Sequence, residues 1–96
     1  MKTNWIVTKT STRQEDDDET YKFNGTADEV QEKLSAFAKH GVIIENSDSE
    51  EDYFISHDVL DDANYSISVM DCYGENEEIY SAKAVDNIDE MPDLDI

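Results

Sequence analysis

The sequence predicts an α+β fold, an antiparallel sheet with one helix packed on a face, in the element order β-β-α-β-β-β-β. Three observations carry this reading. Thr26-Ala27-Asp28-Glu29 has the form of a capping box, in which the Thr26 hydroxyl accepts from the Glu29 backbone N–H and the Glu29 carboxylate reaches back. Ala27, Val30, Leu34, Phe37 and Ala38 then recur at helical spacing on one face. Further on, Tyr65, Ile67 and Val69 alternate with Ser66, Ser68 and Met70, the pattern of a strand with one buried and one wet face.

The elements follow in order. Trp5-Ile6-Val7 reads as a first strand and Tyr21-Lys22-Phe23 as a second, with Tyr21 and Phe23 on one face. Residues 10–19 between them turn from polar to acidic, which suits a long hairpin loop. The helix spans residues 27–40; Lys39 and His40 complement the dipole of its last turn, and Gly41 is expected as a left-handed cap. Beyond Gly41 the apolar period changes to two. Val42-Ile43-Ile44 and Tyr53-Phe54-Ile55 are read as short strands, separated by an acidic linker over residues 46–52. A turn at residues 73–77 leads into a return strand over residues 79–85. Residues 1–86 are expected to form one domain and residues 87–96, with Pro92, a fraying acidic tail. No internal repeat is visible.

Charge is the most informative feature of the composition. The 96 residues carry 25 acids and 7 bases, a net of −18 with a pI near 4.1. Residues 1–39 hold 8 acids and 6 bases, whereas residues 40–96 hold 17 acids against one base, Lys83. Such a surface repels phosphate, which argues against direct binding of nucleic acid or of anionic membranes. No apolar run reaches the roughly 18–20 residues of a spanning helix, and the N-terminus lacks the apolar region of a signal peptide. The single Cys, Cys72, cannot form an internal disulfide, and a reducing, cytoplasmic setting is expected.

Motifs of catalysis are absent: no phosphate-binding glycine loop, no Gly-x-Ser-x-Gly elbow, no His-Glu-x-x-His. Carboxylate pairs abound, but acid–base catalysis needs environments that push two pKa values apart, and solvated acidic runs supply none. A non-enzyme without a cofactor is therefore expected. His40, His57 and Cys72 are the remaining zinc-type ligands, and a zinc-stabilised structural or adaptor domain is the alternative they offer. Their spacing matches no local zinc motif, and each has a plain structural role open to it.

The acidic segments themselves are the candidate site. Asp48, Glu50, Glu51 and Asp52 are placed in one loop, Asp58, Asp61 and Asp62 in the next, and Glu75, Glu77 and Glu78 in the last turn. Carboxylates on one strand face recur about every 6.6 Å, of the order of the phosphate spacing along a nucleic-acid strand. A surface of this kind competes for a cationic groove, with fast, salt-sensitive association. Tyr53, Tyr65, Tyr73 and Tyr80 lie among the acids as candidate aromatic anchors. The competing reading is a solvated face selected for solubility or high salt. Against high salt, the single Arg, eight Ile and six Asn indicate an AT-rich coding sequence, which fits poorly with most halophiles. A third reading is a small regulatory protein that binds its partner by strand addition.

In size, charge and the acidic segments 15–19, 48–52 and 75–78, the chain resembles the small anti-defence proteins of phages and mobile elements. These include DNA-mimicking anti-restriction proteins and anti-CRISPR proteins. The resemblance implies stoichiometric inhibition in the host bacterial cytoplasm. The partner would be a basic nucleic-acid-binding protein such as a CRISPR or restriction nuclease.

Overall fold

The computed structural model describes residues 2–12, 18–61, 63–86 and 92–94. Five antiparallel strands, β1 (Thr3–Ser11), β2 (Glu19–Gly25), β3 (Tyr53–Asp61), β4 (Asn64–Asp71) and β5 (Glu77–Val85), form one sheet in the order β2-β1-β5-β4-β3. One long helix, α1 (Ala27–Lys39), covers a face of it, so the α+β class holds.

The helix begins as its sequence dictates. Thr26 accepts from the Glu29 N–H at 3.2 Å, and the Glu29 carboxylate accepts from the Thr26 N–H at 2.9 Å. That backbone hydrogen bond holds the Glu29 carboxyl below its ordinary value. Val30, Leu34 and Ala38 are buried against Trp5 and Val7 of β1, Tyr65, Ile67 and Val69 of β4, and Tyr80 and Ala82 of β5. Burying a side chain such as Leu34 contributes about 1.5–3 kcal/mol. Phe37 wedges edge-on between Tyr80 and Tyr21, with ring centroids 5.1 and 5.6 Å away, and ties β2 to the centre. The indole N–H of Trp5 is satisfied by the Gly25 carbonyl at 3.1 Å.

Two expectations are corrected here. Residues 42–44 are not a strand: Val42–Glu45 forms a single helical turn, α2, so the order is β-β-α-α-β-β-β apart from a short 3-10 turn at Glu50–Asp52. The deciding contact comes from β5, where the Glu78 carboxylate accepts from the N–H groups of Val42 at 3.3 Å and Ile43 at 3.2 Å. Gly41 is not left-handed either; its φ of −71° belongs to the residue that starts α2. A glycine is required there by proximity, because a Cβ would collide with the Tyr80 hydroxyl and the Glu78 carboxylate. The left-handed glycine is Gly74, φ +71°, in the β4–β5 turn.

The outer edges of the sheet differ. Along β2, the Lys22 N–H donates to the Pro92 carbonyl and the Leu94 N–H to the Lys22 carbonyl, both at 3.0 Å, so residues 92–94 cover that edge. The rest of the acidic tail lies outside the described residues. At the other end, among the described residues, β3 has a neighbour on one side only, β4.

Candidate functional site

The structure sorts the acidic residues into three environments. At one end of the sheet, the loop leaving α2 and the β4–β5 turn come together. The Cys72 N–H donates to the Asp52 carbonyl at 3.0 Å, and a hollow of about 370 Å³ opens between Asn46, Ser47, Asp52, Asp71, Tyr73 and Asn76. Asp48, Glu50, Glu51 and Glu75 are exposed on this end. The distance between these loops, open in the sequence, is thus closed by the pairing of Tyr53 with Asp71.

Two carboxylates there are structural. Asp52 folds back onto the N–H groups of Asp48 at 3.0 Å and Ser49 at 3.2 Å, which shapes its own loop. Asp71 accepts from the N–H groups of Tyr73, Glu75 and Asn76 and from the Asn76 side-chain amide at 2.9 Å. Desolvation pushes the Asp71 carboxyl upward. The amide of Asn76 and the backbone donors outweigh it, so the group sits below its ordinary value.

The second environment is the β3–β4 hairpin. Asp58 and Asp61 are not loop residues as the sequence suggested; both lie within β3, and Asp61 ends the strand at a register shift after Val59. Asp58 is exposed on the face away from α1, paired with Ser66. Asp62 lies outside the described residues.

The third environment is the core. Glu77 and Glu78 belong to β5 rather than to the turn, and alternation sends them to opposite faces. Glu77 is half-buried on the face away from α1, whereas Glu78 is 0 % exposed. Besides capping α2, Glu78 is 3.5 Å from the Lys9 ammonium, which also lies 3.6 Å from Glu19. It is an internal brace and is removed from the candidate surface. Of the four tyrosines, Tyr65 and Tyr80 are likewise core residues, and Tyr73, at 82 % exposure, is the one presented to solvent beside the acids.

The proposed zinc ligands are not brought together. His40 ends α1, with its Nδ1 3.6 Å from Glu45; His57 is exposed in the middle of β3; Cys72 is exposed in the β4–β5 turn. Among the described residues, no three His, Cys, Asp or Glu side chains group around a possible metal position. Nor, among them, is any helix long and apolar enough to cross a membrane.

Sequence reasoning missed one surface. Phe54, Val59 and Leu60 of β3 are 62 %, 67 % and 70 % exposed, and Ile55 also faces solvent. The signal was present: Phe54-Ile55 and Val59-Leu60 are adjacent apolar pairs, which put apolar groups on both faces of one strand. No protein-family model matches the chain, and searches of curated proteins and of solved structures found no significant match.

Proposed function

We propose that this chain is an acidic, non-enzymatic inhibitor that binds a basic surface of a nucleic-acid-binding protein. The partner class is a host defence nuclease of CRISPR or restriction type, met in the bacterial cytoplasm and blocked from engaging nucleic acid. One observation carries the reading: exposed Asp48, Glu50, Glu51 and Glu75 converge from two loops on one end of a braced sheet. Carboxylates carried on loops whose backbone is held attract a cationic groove at lower entropic cost than carboxylates on an unstructured segment. Exposed Tyr73 beside them supplies an aromatic contact.

The test is capture from a bacterial lysate with a salt-gradient elution, followed by a cleavage assay on the captured nuclease. The expected result is one nuclease retained stoichiometrically, inhibited, and released by salt. Lysine at Glu50, Glu51 and Glu75 together abolishes inhibition with thermal stability preserved; Asp52 and Glu78 are left intact because they hold the fold. Full inhibition by the triple variant, or recovery of only assorted basic proteins at low salt, refutes the proposal.

A further inference from the structure

The outer edge of β3 is unlike an ordinary protein edge. Natural edges are blunted by lysine, proline, bulges or a covering segment. The β2 edge has both Lys22 and the covering residues 92–94. In contrast, Tyr53–Asp61 contains no Lys, Arg or Pro, and every residue from Phe54 to Leu60 is exposed. Its irregularity lies at the far end, between Val59 and Asp61, which leaves Tyr53 to Val59 in continuous register with β4.

Two hollows run along this edge between β3 and α1. One, of about 210 Å³, is lined by Ser35, Ala38, Lys39, Ile55, His57 and Ile67. The other, of about 90 Å³, lies near Leu34, Val59 and Tyr65. Ile55 and His57 border the first and His57, Asp58 and Val59 the second, so the two hollows follow one another along β3. An added strand gains main-chain hydrogen bonds from the edge and places alternate side chains in such hollows.

Charge selects the occupant. Glu50, Glu51 and Asp52 immediately precede the strand, and Asp61 ends it. The nine residues span about 30 Å. In antiparallel pairing, a second copy would bring the acids at one end of its strand against those at the other end of this one. We infer that β3 accepts an antiparallel extended segment of the partner, apolar in its centre and carrying Lys or Arg at both ends. The inference rests on the basic-partner reading above and gives that partner a docking element.

The probe is a fluorescein-labelled peptide matched to the nine residues of β3, with an alternating valine–threonine centre and paired lysines at each end. Titrated into the full chain, it is expected to raise anisotropy saturably and to slow hydrogen exchange of the β3 amides. Ile55→Lys with Val59→Lys weakens it about tenfold or more. A peptide of equal charge with a central proline is expected to bind more weakly and to leave the β3 amides unprotected. Equal binding of both peptides, or no binding to a chain whose amide spectrum is native, overturns the inference. So does a dimer at high salt that protects β3 in place of the peptide, since it makes a second copy the occupant. The two proposals fail separately. A nuclease captured at full strength by the Ile55→Lys, Val59→Lys variant removes the edge and keeps the acidic surface, whereas peptide binding without nuclease inhibition does the reverse.

Discussion

Replacing Glu78 with glutamine separates the two neighbouring acids that begin β5. The amide keeps the size of the carboxylate but can accept through one oxygen only, where the native group accepts from Val42 and Ile43 through two. It also removes the charge facing Lys9 at 3.5 Å, although Lys9 keeps Glu19 at 3.6 Å. A buried hydrogen bond to a charged group is worth about 1.5–3 kcal/mol, and losing one partner of a buried pair costs about 3–5 kcal/mol. The retained Glu19 contact and the remaining acceptor put Glu78→Gln near the lower bound, about 2 kcal/mol. For a domain this size each kcal/mol moves Tm by about 4–8 °C, so a fall of about 8–16 °C is expected. Glu77→Gln, one residue away on the other face, should change stability by no more than about 0.5 kcal/mol. Thermal melts followed by circular dichroism, with Lys9→Met closing a double-mutant cycle, read both variants. Equal melting of the two would refute the brace and return Glu78 to the surface.

Three further outcomes follow from the same geometry. Gly41→Ala should destabilise by about 1–3 kcal/mol through overpacking against Tyr80 and Glu78, measured by urea unfolding; a neutral effect would mean that α2 shifts freely. Thr26→Ala should cost about 1 kcal/mol by loss of the α1 cap, with little change in the denaturant slope. The Asp71 carboxyl lies below its unfolded value, so its contribution is complete above an unfolded pKa of about 4 and is lost as pH falls through the lower folded value. Melts between pH 7 and pH 2 should therefore show a smaller acid-induced loss in Asp71→Asn than in the native chain, and an equal loss would refute the role given to the turn.

What was legible in the sequence was local. Thr26 and Glu29 are three residues apart and define the start of α1 between them, while Tyr65, Ile67 and Val69 declare their face by simple alternation. Val42 to Glu45 was not legible, because a short apolar run fits a strand or a helical turn equally well by period. The first N–H groups of that turn are satisfied by Glu78, 35 or 36 residues further along the chain. The same distance hid the site. Nothing in the adjacent letters of Glu77 and Glu78 says that the second is sealed in the core. The fate of Gly41 depends on Tyr80, which periodicity in its own neighbourhood does not reveal.

The strand order carries a consequence for how the molecule comes to exist. The central strand of the sheet, β5, is the last of the described strands in chain order, and among them it alone joins β1 to β4. Without β5 in place, the β1–β2 pair and the β3–β4 pair have no strand between them and each has an unpaired inner edge. Closing the sheet pairs Trp5 with Ala84, far apart in sequence, and non-local pairings of this kind slow folding. Partly folded chains with unpaired strand edges are prone to stick to one another. Mutual repulsion among strongly acidic nascent chains delays that encounter, so the charge proposed to meet the partner also guards the molecule while its middle is missing.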